Sequence, residues 1–238
     1  MKILKIILIL ILIKGATFNT FADSLLDQFD GPLINSSDWN ISFTSYGNSA
    51  VEQNAGLLTI KNGAFLTAKN PFGNPTISGK FSFTGWEYDR FQVIFRSDGI
   101  QNDSQFPLNG VGVQFTPSSN PDFGSSKTVQ FFNYNNFTTL ASASPTISMN
   151  TFYEFKITDN GSNISVFLEN MVVPLFSYST SSTYGDMVQI RNREQAAGSW
   201  PPPYFLNLDY VSIQGVPEPS SLSLIIAGGA VLVAGRRK

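Results

Sequence analysis

The sequence predicts an all-β fold, two antiparallel sheets packed as a sandwich, and three observations carry that prediction. Between Asp23 and Gly215 apolar residues alternate with polar ones over short runs, the period of two that sends successive side chains to opposite faces of a strand. The runs are separated by clusters of Gly, Asn, Asp, Ser and Pro, the residues that turns select. No segment sustains a helical period, and about a dozen evenly spaced runs without helices argue two layers of sheet. The absence of a short internal repeat disfavours a solenoid or a propeller.

The elements follow in order. In RFQVIFRS, Phe91, Val93 and Phe95 share one face while Gln92, Ile94 and Arg96 share the other. GVGVQFT sets Val111, Val113 and Phe115 opposite Gly112, Gln114 and Thr116. FYEFKITDNGSNISVFLEN reads as a hairpin: Tyr153, Phe155 and Ile157 face one way, Asp159-Asn160-Gly161 supplies the turn, and Ile164, Val166 and Leu168 return on the same face. MVQIRNR places Val188 and Ile190 inward against Gln189, Arg191 and Arg193, and FLNLDYVSIQG closes the domain.

The chain has 238 residues, 42% hydrophobic and 13% charged, too apolar for a disordered protein. Without its two ends it leaves roughly 190 residues, the size of one domain. Six of the fifteen basic residues lie at the ends: Lys2, Lys5, Lys14, Arg236, Arg237 and Lys238. The stretch from Asp23 to Pro219 therefore carries nine basic against all seventeen acidic residues, a charge of −8 that repels polyphosphate and argues against a nucleic-acid partner. With no cysteine there is no disulfide framework or thiolate metal site, and with no histidine there is no Ser-His-Asp or Cys-His nucleophile system.

Both ends read as addresses. Lys2 and Lys5 precede an apolar stretch from Ile6 to Ile13, and Thr20-Phe21-Ala22 suits a signal peptidase, so residues 1–22 are expected to be a signal peptide. At the other end Pro217, Glu218 and Pro219 precede an apolar segment over 220–235, about 24 Å as a helix, with Arg236, Arg237 and Lys238 as a stop-transfer tail. Val216-Pro217-Glu218-Pro219, the short apolar helix and the terminal Arg-Arg-Lys together resemble the PEP-CTERM sorting signal of Gram-negative bacteria that make extracellular polysaccharide. The resemblance implies a membrane-tethered precursor whose segment 216–238 is read and processed by an exosortase, with Glu218 recognised between two prolines that hold it extended.

For the body, LLDQFDGPLINSSDWNIS, GLLTIKNGAFLTAK, the FYEFKITDNGSNISVFLEN hairpin and LNLDYVSIQG resemble the concanavalin A-like, laminin-G-type jelly-roll family. That implies a curved jelly-roll sandwich over 23–215 whose concave sheet often holds carbohydrate, in lectins and glycosidases alike. The hydrolase branch of that superfamily carries E-x-D-x-E along one strand, and this sequence lacks it. The nearest pair, Glu87 and Asp89 in GWEYDRF, reads as a solvated turn. A binding surface is expected instead: alternation puts Arg96, Gln114, Gln130, Gln189 and Arg191 on a polar face suited to vicinal hydroxyls. Trp86, Tyr88, Tyr134, Trp200 and Tyr204 lie in or beside loops, where aromatic rings stack on sugars. Asp30, taken to lie in the first strand, and Asp209, in the last, are candidates for a structural calcium, by the resemblance and by the oxygen shell that ion requires.

The expectation is an exported cell-surface or extracellular-matrix protein, not an enzyme, with adhesive or weakly carbohydrate-binding work and extracellular polysaccharide as partner. The alternative is a divergent glycoside hydrolase or lyase of the concanavalin A-like superfamily.

Overall fold

Every strand that the alternation predicts forms, within an array of fifteen among the described residues. The computed structural model describes residues 24–43, 49–85, 87–100, 109–121, 126–192 and 205–215. One sheet runs β13 (Phe176–Ser179), β12 (Asn163–Leu168), β11 (Tyr153–Asp159), β6 (Thr76–Phe83), β15 (Phe205–Gln214), β4 (Leu57–Lys61) and β3 (Ala50–Asn54). β1 (Ser24–Asp27) joins it by pairing with the far half of β15. The other sheet runs β10 (Thr138–Ala143), β9 (Val129–Asn133), β8 (Val111–Phe115), β7 (Phe91–Ser97), β14 (Met187–Asn192), β5 (Phe65–Ala68) and β2 (Trp39–Ser42). All the pairings are antiparallel and no α-helix occurs among the described residues, so the two-sheet sandwich is confirmed. Asp23–Val216 form one compact unit.

The core is aromatic. Phe81 in β6 is wholly buried, with ring centroids 4.9 Å from Phe91, 5.1 Å from Phe115 and 6.0 Å from Phe155. Phe91 and Phe115 come from the second sheet, so this cluster joins the layers. Room for it comes from Gly79: a Cβ there would stand 2.8 Å from the Phe155 ring and 2.6 Å from the Tyr210 carbonyl.

β11 and β12 form the predicted hairpin, and its register sets Phe155 opposite Leu168 and Ile157 opposite Val166. Its turn places Gly161 at φ 89°, and the Gly161 amide donates to Asp159 Oδ1 at 2.8 Å.

One departure from strict alternation matters. Ser97 pairs with Met187 and Ile94 with Gln189, so β7 sets Phe95 and Arg96 against the single residue Val188. Arg96 adopts φ 48°, and this bulge turns its side chain off the polar face. Its Nε and Nη2 donate to the two carboxylate oxygens of Asp159, 2.6 Å each, and its Nη1 to the carbonyls of Thr180 and Ser182. Both partners are buried. Arg96 is therefore a clamp between the sheets, which corrects its expected place among the glycan-binding residues.

Candidate functional site

The face of the second sheet turned away from the phenylalanine core is polar, as period-two alternation requires. Ser142, Gln130, Gln114, Gln92, Arg191, Phe65 and Ser42 are successive Cα partners across all seven strands. In the next row Phe132, Gly112, Ile94, Gln189, Thr67 and Asn40 are partners in the same way.

The central members of the first row bond to one another. Arg191 Nε donates to Gln92 Oε1, Gln92 Nε2 to Gln114 Oε1 at 2.6 Å, and Gln114 Nε2 makes a long contact of 3.5 Å to Gln130 Oε1. A guanidinium has donors only. Gln92 must therefore turn its oxygen to Arg191 and its NH₂ to Gln114, and the ladder has a direction set at its β14 end. The Arg191 guanidinium carbon lies 5.1 Å from the Phe65 ring centroid and 6.0 Å from that of Tyr134, within cation–π reach of both.

Tyr134, in the turn after β9, donates its amide to the Gly110 carbonyl at 2.9 Å and lays its ring against Gly112. A Cβ at Gly112 would come within 2.8 Å of that ring and 2.7 Å of the Val93 carbonyl, so glycine is what lets the tyrosine lie on the sheet.

Two expectations change here. Gln114, Gln130, Gln189 and Arg191 do share the face, but they are 0–3% exposed, so it is not an open wet surface. Alternation tells which side of a strand is polar; it carries no information on what crosses over that side. Gln92 belongs at the centre of the row although it was not among the expected binding residues. The same alternation in RFQVIFRS marks it, two residues before Ile94 on the same face, and it is the register partner of Gln114.

The Glu87–Asp89 segment is a turn between β6 and β7, as expected, but not a solvated one. Glu87 and Tyr88 are half-buried and Asp89 is 0% exposed. Asn192 Nδ2 donates to Asp89 Oδ1 at 3.2 Å and to the Ile60 carbonyl at 3.3 Å.

Asp30 lies beyond β1, which ends at Asp27, and is exposed; its expected place in the first strand is corrected. Asp209 does lie in β15, where its Oδ2 stands 2.9 Å from Lys80 Nζ. That hydrogen bond holds the Lys80 ammonium above its ordinary range. Among the described residues no three His, Cys, Asp or Glu side chains gather as a metal site. Trp86, Trp200, Tyr204, Pro217, Glu218, Pro219, Arg236, Arg237 and Lys238 lie outside the described residues.

No family model matches the chain, and no curated protein matches its sequence. Solved structures do share its fold. A β-glucanase of Bacillus licheniformis superposes with a TM-score of 0.57 at 11% identity, over 81% of this chain and 98% of that one. A prokaryotic β-1,3-1,4-glucanase derived from a mouse hindgut metagenome gives 0.58 at 12% identity, over 81% and 99%. A β-1,3-glucanase from Mycobacterium marinum gives 0.53 at 11%, over 79% and 97%. The similarity is one of fold.

These neighbours correct the expectation of a non-catalytic, adhesive sandwich and of a chain that is not an enzyme. That expectation rested on the missing E-x-D-x-E run, and such a run is one placement of the acids among several. A glycosidase needs two carboxyls at a suitable separation, whichever segments supply them.

Proposed function

We propose that the chain is a polysaccharide-cleaving enzyme, a divergent glycoside hydrolase that lays its substrate along the polar face of the second sheet. The observation that carries this is the row from Arg191 through Gln92 and Gln114 to Gln130, four hydrogen-bonding side chains in line across four strands. Guanidinium and amide groups bond vicinal hydroxyls, and the buried Phe65 and Tyr134 rings hold the Arg191 guanidinium in the row. The fold shared with glucanases supports the same reading.

Hydrolysis needs two carboxyls. Glu87 is assigned the proton transfer to the leaving oxygen, because its half-buried turn leads directly into Arg90 and Gln92. Asp89, two residues on, is 0% exposed and lies on the other side of the sheet. Asn192, which holds it, alternates with Arg191 in β14 and also reaches the Ile60 carbonyl of the first sheet, so the second carboxyl has to come from elsewhere in the chain. The test is release of new reducing ends by the purified full chain from mixed-linkage β-1,3-1,4-glucan and from β-1,3-glucan. Glu87→Gln should lower kcat by about a hundredfold or more with little change in KM; unchanged turnover in that variant removes Glu87 from the mechanism.

One observation favours a second reading, elimination. The two rows carry Arg191 and four glutamines, with the Tyr134 ring beside Arg191, but no carboxyl. In an elimination a guanidinium neutralises a uronate carboxylate and amides hydrogen-bond it, and a base takes the proton at C5. The C5–H electron pair forms the C4=C5 double bond, and the C4–O bond breaks with its electron pair going to the leaving oxygen, which takes up a proton. Ultraviolet absorbance of that conjugated product from a polyuronate, with no reducing ends from β-glucan, selects elimination. Silence in both assays rejects cleavage.

The ends support export and sorting: a signal peptide over 1–22 and a segment over 216–238 read by an exosortase, leaving the mature protein at the cell surface or in the extracellular matrix of a Gram-negative bacterium. The mass of the mature protein recovered from cells should lack both segments. A mass retaining 216–238 makes the tail an ordinary anchor.

A further inference from the structure

One buried acceptor on the polar face has no use in the fold. Gln189 sits in β14 two residues before Arg191, on the same face, between Thr67 of β5 and Ile94 of β7. It is 0% exposed. Its Nε2 donates to Thr67 Oγ1 at 3.3 Å and to the Gly99 carbonyl at 3.4 Å. A carbonyl accepts only, so the contact with Gly99 favours nitrogen at that end of the amide. The oxygen is thereby directed away from both partners, and Gln189 Oε1 is buried with no hydrogen bond. A buried acceptor left open costs free energy, and native interiors rarely keep one.

We propose that Gln189 Oε1 is a specificity-determining acceptor that takes one hydroxyl of a neutral glycan. The assignment rests on the polysaccharide reading above and deepens it. A donor is required, because the vacancy is an acceptor. A hydroxyl meets that requirement at a position whose two register partners, Thr67 and Ile94, are neutral, and it adds no second cation beside Arg191 on the same face. Gln189 is pinned by its own nitrogen, so the oxygen is held in place before the ligand arrives. Such a site discriminates strongly against a sugar that lacks the matching hydroxyl, because the analogue leaves the acceptor open.

The experiment is a binding cycle on the full chain, with the tetrasaccharide of mixed-linkage β-1,3-1,4-glucan and its monodeoxy analogues as probes. Gln189→Met keeps the length of the side chain and removes the acceptor. It should weaken binding of the parent tetrasaccharide about tenfold or more. One monodeoxy analogue should bind wild type about tenfold less well than the parent, and should bind wild type and Gln189→Met alike. Gln189→Glu, which retains an acceptor, should stay within a few fold of wild type for the parent.

Equal affinity of wild type and Gln189→Met for the parent overturns the assignment while leaving the polysaccharide reading intact. A uniform loss across all the deoxy analogues in the variant does the same, since it marks a merely structural residue. If neither variant folds, the wild-type protein decides by itself: the Gln189 side-chain carbonyl carbon resonance should shift on saturation with the tetrasaccharide. A stationary resonance with sugar bound means that an ordered water fills the position, and the assignment fails. No binding of the tetrasaccharide or of any other glucan by wild type counts against the neutral-glycan reading and the assignment built on it.

Discussion

Arg96→Met should lower the unfolding free energy by about 3–5 kcal/mol, the ordinary cost of removing one partner from a buried ion pair. Asp159 would be left as a buried carboxylate at the end of β11, keeping only the Gly161 amide among the donors described for it. The two 2.6 Å bonds it loses are charge-assisted and parallel, the strong kind. The Thr180 and Ser182 carbonyls lose their donor at the same time. Urea denaturation of the wild type and variant measures the difference, and a loss under about 1 kcal/mol would mean that the pair is a passenger. The double variant Arg96→Met/Asp159→Leu separates the clamp from its desolvation cost. It should be more stable than Arg96→Met alone, because an apolar pair leaves no buried charge behind.

Phe81→Ala should cost about 3–5 kcal/mol as well, through a different term. The Phe81 ring touches Phe83, Phe91, Phe115, Tyr153 and Phe155, from both sheets, at centroid separations of 4.9–6.1 Å. Those rings are fixed by strands on two layers and cannot close over the space. The cost is therefore transfer of a phenyl ring plus a cavity that stays open. At roughly 2–4 °C per kcal/mol for a domain of this size, the thermal midpoint should fall by about 6–20 °C. Phe81→Leu, which fills most of the volume, should recover over half of the loss; equal losses in both would show that ring stacking, not space, is what matters.

The layers and faces of this sandwich were legible because alternation is a local signal. Phe91, Val93, Phe115, Ile157, Val166 and Ile190 all occupy the core positions that period two assigns to them. Arg96 shows where the signal stops. A bulge adds a residue to one strand without changing composition, and after it every side chain changes sides. Only the register between β7 and β14 reveals it. The polar row was half legible: alternation selected Gln114, Gln130, Gln189 and Arg191, but the direction of their bonds depends on which strands become neighbours. β14 pairs with β7 across some ninety residues of sequence, as the Arg191–Gln92 contact shows. Asp89 was misread for a related reason. A carboxylate in a turn looks solvated until the partner that buries it, Asn192, arrives from 103 residues away.

Ser24 pairs with Gln214, so the start of β1 and the end of β15 sit side by side at one corner. Bonds between antiparallel strands run perpendicular to them. Tension that draws the two ends apart at that corner loads those bonds singly, from the edge inward, as a zipper opens. The β1–β15 pairing is thus a mechanically soft seam, and peeling β1 away leaves β15 still held along its other flank by β6.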